Sequence, residues 1–61
     1  MKFAFLIMGN FDMTMDRATI HGGNAQMIGV SDMQEAAAAA KQLCEEGIDC
    51  IELCGAFGAE G

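Results

Sequence analysis

The stretch SDMQEAAAAAKQLCEEGIDCIELC, residues 31–54, decides the fold because it encodes a capped helix that leads directly into a strand. Ser31 is followed three residues later by Gln34, and this spacing predicts a capping box with Ser31 as the N-cap. Apolar side chains then recur every three or four positions, which predicts one buried helix stripe. The predicted stripe consists of Met33, Ala36, Ala37, Ala40, Leu43 and Cys44.

The end of this helix is equally well marked. Gly47 is the expected left-handed terminator, and Ile48 can pack back on Leu43. Residues 48–54 alternate in a way that predicts a strand entered by a tight turn. A crossover through the helix would set this strand parallel to the strand before the helix.

Upstream, two further strands are predicted. The continuous apolar run Phe3–Met8 is typical of a strand covered on both faces, and Ala25–Val30 predicts a short second strand. Residues 9–24 lie between them and predict a long loop, in which residues 12–17 could form one helical turn. The glycine pair at residues 22–23 predicts a turn immediately before the second strand.

Size and composition fit one small α/β domain over residues 1–61. The predicted architecture is β-loop-β-α-β, a two- or three-stranded sheet with one capped helix. The chain is 52% hydrophobic and contains no proline. A monomer of 61 residues is not expected to bury that many apolar side chains. We therefore expect a homo-oligomer that completes the fold, or a chain that is the N-terminal part of a longer domain.

The charge balance excludes some partners. Nine acidic and three basic residues give a net charge of −6, so nucleic acid and anionic membrane surfaces are not expected partners. The first apolar run is too short to span a bilayer and lacks the pattern of a signal peptide. Three cysteines without an export signal predict a cytoplasmic protein.

The third predicted strand carries the most informative side chains. Cys50, Glu52 and Cys54 share one face, and the two cysteines are about 13 Å apart along an extended strand. They can neither bridge each other nor share a zinc ion, and no metal site is predicted. Cys50 and Cys44 are interpreted as small core residues. For Cys54, a core position and a site position are equally compatible with the sequence.

Glu52 is unusual on an apolar strand. Its carboxylate must be paired, protonated, or exposed at an edge or interface. If it is buried, its raised pKa would suit acid–base chemistry, and His21 could pair with Glu52 or Cys54 if the loop folds over the strand end. The alternative is a structural hydrogen bond or an intersubunit pair with Arg17 or Lys2.

A glycine-spaced turn follows this strand. Gly55, Gly58 and Gly61 match neither the dinucleotide-binding fingerprint nor a Walker loop, but such a turn can present backbone N–H groups to a ligand. Residues 12–16 are similar to the start of a calcium loop. Arg17 stands where that loop needs glycine, so calcium binding of this type is excluded.

The segment IELCGAFGAEG, residues 51–61, resembles the signature of a small bacterial family, domain of unknown function 6506. The resemblance extends over the whole chain and includes the Met8-Gly9 strand end and the capped helix. Family members continue with a further helix and strand. The resemblance implies the fold and the compartment and emphasises Glu52, Cys54, Gly55, Phe57 and Gly58, but the family has no assigned activity.

These observations predict a protein that binds a small metabolite at the carboxyl end of the third predicted strand. The expected ligand-binding residues are Gly55, Phe57, Gly58, Asn10 and Arg17, and no particular cofactor is indicated. One alternative is an enzyme that uses Cys54 or Glu52 with His21, and it predicts an unusually reactive Cys54 thiol. Another alternative is a self-assembly module without a ligand.

Overall fold

The computed structural model describes residues 1–55, which form a helix packed on one mixed sheet. The strands follow the order β2-β3-β1-β4 across the sheet, with β1 parallel to both β3 and β4 and with β2 antiparallel to β3. The α/β class is as predicted, but the sheet has four strands instead of two or three. The elements are β1 (Phe3–Met8), β2 (Arg17–Ile20), a 3-10 turn (His21–Gly23), β3 (Ala25–Val30), α1 (Met33–Glu45) and β4 (Cys50–Leu53).

The additional strand lies within the predicted long loop. The Asp12 carbonyl accepts the N–H groups of Met15 and Asp16, so the expected helical turn does form. Arg17 then begins β2, which pairs with β3, so the prediction that residues 9–24 form a long loop without a strand was wrong. The glycine turn before β3 connects the antiparallel strands β2 and β3 as a hairpin, and both of its glycines have positive φ.

The helix begins one residue later than predicted. Asp32, not Ser31, is the N-cap, and its Oδ1 accepts the N–H of Glu35 at 2.7 Å. Glu35 in turn accepts the backbone N–H of Ser31 at 3.0 Å. Asp32 caps the helix because it combines an extended backbone with a carboxylate three residues before Glu35. Glu35 reaches back to the residue before the N-cap, so the pair differs from a standard capping box by one residue.

The end of the helix confirms the sequence prediction. Gly47 adopts φ 89°, its N–H donates to the carbonyl of Cys44, and the N–H of Ile48 donates to the carbonyl of Leu43. These two bonds form a Schellman motif, and both Ile48 and Leu43 belong to the core. The motif turns the chain sharply from α1 into β4.

The core lies between α1 and one face of the sheet. The helix contributes Ala36, Ala39 and Leu43, so the predicted stripe was wrong in omitting Ala39 and in including Met33, Ala37 and Cys44, which are exposed. Ala39 is buried because residues 36, 39 and 43 share one face of the helix, and this spacing directs the neighbouring alanines away from the sheet. The buried hydrophobic residues are Ala4, Leu6, Ile28, Val30, Ala36, Ala39, Leu43 and Ile48.

The opposite side of the sheet, here named the open face, has no helix against it among residues 1–55. Residues 1–55 of one copy therefore cover β1 on one face, and coverage of its other face stays a prediction. The physical reason is the connection from β1 to β3, which adds β2 to the sheet edge instead of crossing the face as a helix. By strand register, the open face consists of Phe3, Phe5, Ile7, Ala18, Ile20, Ala25, Met27, Gly29, Cys50 and Glu52.

Candidate functional site

The topology creates a switch point between β1 and β4. The chain passes from β1 to β3 on one side, and then returns through α1 to β4 on the other side of β1. In open sheets with parallel strands, ligands bind outside the carboxyl ends of the strands where the direction of winding reverses. Here that position lies beyond Met8 of β1 and Leu53 of β4.

Cys54 closes the gap between these two strand ends. Its N–H donates to the carbonyl of Leu6 at 3.0 Å, and its Sγ accepts the N–H of Met8 at 3.3 Å. Gly55 follows it and Asn10 lies two residues beyond Met8, and both are exposed. Three of the predicted site residues therefore lie together at the carboxyl ends of β1 and β4, namely Asn10, Cys54 and Gly55.

An aromatic side chain that the sequence did not reveal shapes the neighbouring surface. The Phe11 ring lies directly over the bare backbone of Gly29 and beside Gly9. A Cβ atom at Gly29 would stand 2.6 Å from Cγ of Phe11, a distance that real side chains do not adopt. The Gly29 N–H also donates to the carbonyl of Asp16 at 2.8 Å, which fixes the loop against β3. Gly29 inside an apolar strand was the available signal, because such a glycine marks a close approach.

A carboxylate turn stabilises the same loop. Asp12 Oδ1 accepts the Thr14 hydroxyl at 2.6 Å and the Thr14 N–H at 2.9 Å, while Asp16 Oδ2 accepts the N–H of Asp12 at 2.7 Å. The hydrogen bonds from the Thr14 hydroxyl and then from its N–H lower the pKa of the exposed Asp12 carboxyl. The turn thus favours an ionised Asp12 and holds Phe11 at its start.

His21 lies far from the switch point. It follows Ile20, which pairs with the first residue of β3, so it is at the amino end of the parallel strands. Three strand spacings of about 4.8 Å separate β2 from β4, which is about 14 Å across the sheet. The structure therefore does not bring His21 together with Cys54, as the catalytic hypothesis required.

The other predicted residues have varied surroundings. Glu52 is exposed on the edge strand β4, so the burial that would have suited it for acid–base work is absent. Arg17 lies at the far edge, where its Nη2 donates to Oε1 of Gln26 at 3.5 Å. Phe57 and Gly58 lie outside the described residues.

The cysteines occupy three different surfaces. Cys44 is exposed on the helix, so its assignment to the core was wrong, while Cys50 is half-buried on the open face. Cys54 is half-buried at the switch point. Each thiol therefore reports on a separate region of the molecule.

The charged side chains near the carboxyl ends of β1 and β4 disfavour the binding of a phosphate group there. The Asp32 and Glu35 carboxylates occupy the α1 N-terminus, where an anion would otherwise be attracted. Within residues 1–55, no group of three His, Cys, Asp or Glu side chains is placed to hold a metal ion. Nor does this part of the chain contain a helix with the length and apolar character needed to cross a membrane.

Comparison with known families agrees with the resemblance seen in the sequence. The family of unknown function DUF6506 matches residues 1–61, the entire sequence. The chain belongs to this family. No curated protein and no solved structure matches this DUF6506 chain. The open face and the switch point are therefore interpreted from their own chemistry.

Proposed function

We propose that this DUF6506 protein binds a small metabolite at the switch point between β1 and β4. The observation that carries the proposal is the strand order β3-β1-β4, which reverses the winding next to Asn10, Cys54 and Gly55. Backbone at the end of β4 and the Asn10 amide would supply the hydrogen bonds. Binding is favoured over catalysis because the one histidine lies at the opposite end of the sheet.

The ligand is proposed to be neutral or cationic. Glu52 stands two residues before Cys54 on the same strand, and the nearby helix N-terminus already holds two carboxylates. Anionic groups would be repelled by this arrangement, which acts over about 10 Å at moderate ionic strength. Amines, amino acids, sugars and nucleosides fit this chemistry better than their phosphorylated forms.

We also propose that the protein works as a homo-oligomer in the cytoplasm. Support for the oligomer comes from the apolar side chains that remain exposed on a small chain, including Ile20 and Met27. Support for the compartment comes from three cysteines that form no disulfide with one another.

The proposal can be tested by differential scanning fluorimetry of the full chain against neutral, cationic and phosphorylated metabolites. A ligand present at 100 times its Kd adds about 2.7 kcal/mol of stability. For a chain of this size that corresponds to an increase in Tm of about 10–20 °C. The proposal fails if no neutral or cationic compound raises the Tm.

Two matched variants locate the site. Asn10→Ala removes a side chain at the switch point, whereas Asn24→Ala removes another exposed amide at the opposite end of the sheet. The ligand-induced increase in Tm should shrink in Asn10→Ala and persist in Asn24→Ala. Equal losses in the two variants would contradict the proposed position.

A further inference from the structure

We propose that a second copy of this chain covers the open face, so that two sheets pack face to face between two outer helix layers. This inference rests on the proposed homo-oligomer and specifies its surface and its symmetry. The two-fold axis is proposed to run between the sheets and parallel to the strands.

The open face has the composition of a surface that needs a partner. Ile20 is 69% exposed and Met27 is 47% exposed. Two grooves, of about 320 and 220 Å³, meet at Ala18 and Met27 and run across the face. Sheets of parallel strands are normally buried on both faces, because each face of such a strand is apolar.

Charge is placed so that two copies can meet here despite a net charge of −6. Among residues 1–55, Glu52 is the one charged residue that strand register assigns to the open face, and the oppositely charged Asp16 and Arg17 line the smaller groove. The carboxylates of α1 lie on the other side of the sheet. Self-repulsion is therefore weakest across this face, where apolar contact is also greatest.

The position of Glu52 selects the symmetry. An axis parallel to the strands places β4 of one copy over β2 of the other, and an axis across the strands places β4 over β4. Ala18 lies at the same height as Glu52, because Ala18 pairs with Met27, Met27 with Phe5 and Phe5 with Glu52. The first axis therefore places Glu52 over Ala18 of the other copy, whereas the second brings two Glu52 carboxylates together.

The available area implies a modest affinity. Four strands of up to six residues form a face of about 19 by 20 Å, or about 400 Å² per copy in projection. The two copies together bury about 800 Å² on this measure, about a third below the 1,200 Å² lower limit of stable complexes and within the range of weak or transient ones. We therefore expect a concentration-dependent dimer with a Kd in the micromolar range.

Sedimentation velocity of the full chain tests the proposal between about 5 and 500 µM, concentrations that bracket a micromolar Kd. The wild type should change from monomer to dimer. Met27→Glu places a charge in the middle of the open face and should raise the Kd by about 100-fold or more. Met33→Glu makes the same change on the helix, where Met33 is 56% exposed, and should leave the dimer intact.

A further variant tests the symmetry. Glu52→Gln should change the Kd of the dimer by no more than about two-fold, because Glu52 faces Ala18 of the other copy and loses no ion pair. If Glu52→Gln instead strengthens the dimer, two Glu52 carboxylates meet, the axis runs across the strands and the proposed symmetry is wrong.

Thiol alkylation gives a readout that does not depend on any variant folding. Iodoacetamide labelling of Cys50 on the open face should slow as the protein concentration rises, while labelling of exposed Cys44 stays constant. A wild type that remains monomeric with constant Cys50 labelling overturns the proposal and leaves the face to a different partner. A dimer that persists in a folded Met27→Glu variant overturns it as well. Neither result affects metabolite binding at Cys54, which is measured separately.

Discussion

Replacement of Gly29 with alanine tests whether Phe11 holds the loop against the sheet. The added methyl group would lie 2.6 Å from Cγ and 2.7 Å from Cβ of Phe11. Cβ of Phe11 is attached to the loop backbone, so rotation of the ring cannot relieve the contact. The loop that carries Asn10 must move, or the Gly29 N–H must lose its bond to the Asp16 carbonyl.

The magnitude follows from two opposed effects. Overpacking of this kind costs about 1–3 kcal/mol, because the neighbours must leave their favoured positions. An alanine without a clash would instead stabilise the chain by about 0.4–1 kcal/mol by restricting the unfolded state. Gly29→Ala should therefore lower the free energy of unfolding by about 1–2 kcal/mol, or the Tm by about 4–16 °C.

A double-mutant cycle with Phe11→Gly separates these effects, because glycine removes both the ring and the Cβ atom that the new methyl group would meet. In the Phe11→Gly background the clash is absent, so Gly29→Ala should raise the Tm slightly above that of Phe11→Gly alone. Thermal melts of the four proteins, followed by circular dichroism at equal concentration, provide the measurement. If Gly29→Ala is equally destabilising with and without the Phe11 ring, the proposed packing is refuted.

Three further predictions concern local structure. Asp32→Ala should cost about 1 kcal/mol in thermal melts by removing the N-cap, whereas Ser31→Ala should have little effect because only the Ser31 backbone is used. Because the folded state lowers the pKa of Asp12, its contribution to stability is present above the ordinary value of 3.8 and is lost as the pH falls through the lowered value. Thr14→Ala should raise the Asp12 pKa towards 3.8 in an NMR titration, and an unchanged pKa would contradict the role of the hydroxyl. Gly47→Ala should cost about 1–2 kcal/mol through its positive φ alone, since no atom beyond the adjacent residues lies within 4 Å of the new methyl.

Local signals predicted most of the fold. The capped helix, its glycine terminator and three of the four strands were identified because each depends on neighbouring residues in the chain. The N-cap was predicted at Ser31 instead of Asp32 because both residue types can cap a helix, and only the backbone geometry decides which one does. Strand β2 was missed because its four residues lie at a sheet edge and are all partly or fully exposed. Their sequence therefore lacks the alternation of apolar and polar residues that distinguishes a strand from a loop.

The candidate site depends on information that local patterns do not contain. Strand order decides that Cys54 meets the end of β1 and that His21 is at the opposite end and the opposite edge. The pairing of β2 with β3 also decides that the β1–β3 connection places no helix on the open face. Neither fact can be derived from the spacing of apolar residues along one chain, because both concern which strands become neighbours.

The most direct test of the proposed site is the alkylation rate of Cys54 compared with those of Cys44 and Cys50. The labelling would be measured by mass spectrometry with the metabolite that gives the largest increase in Tm. If that compound binds at the switch point, 100 times its Kd should slow Cys54 labelling by up to about 100-fold and leave Cys44 unchanged. A compound that stabilises the protein but leaves the Cys54 rate unchanged would contradict the account.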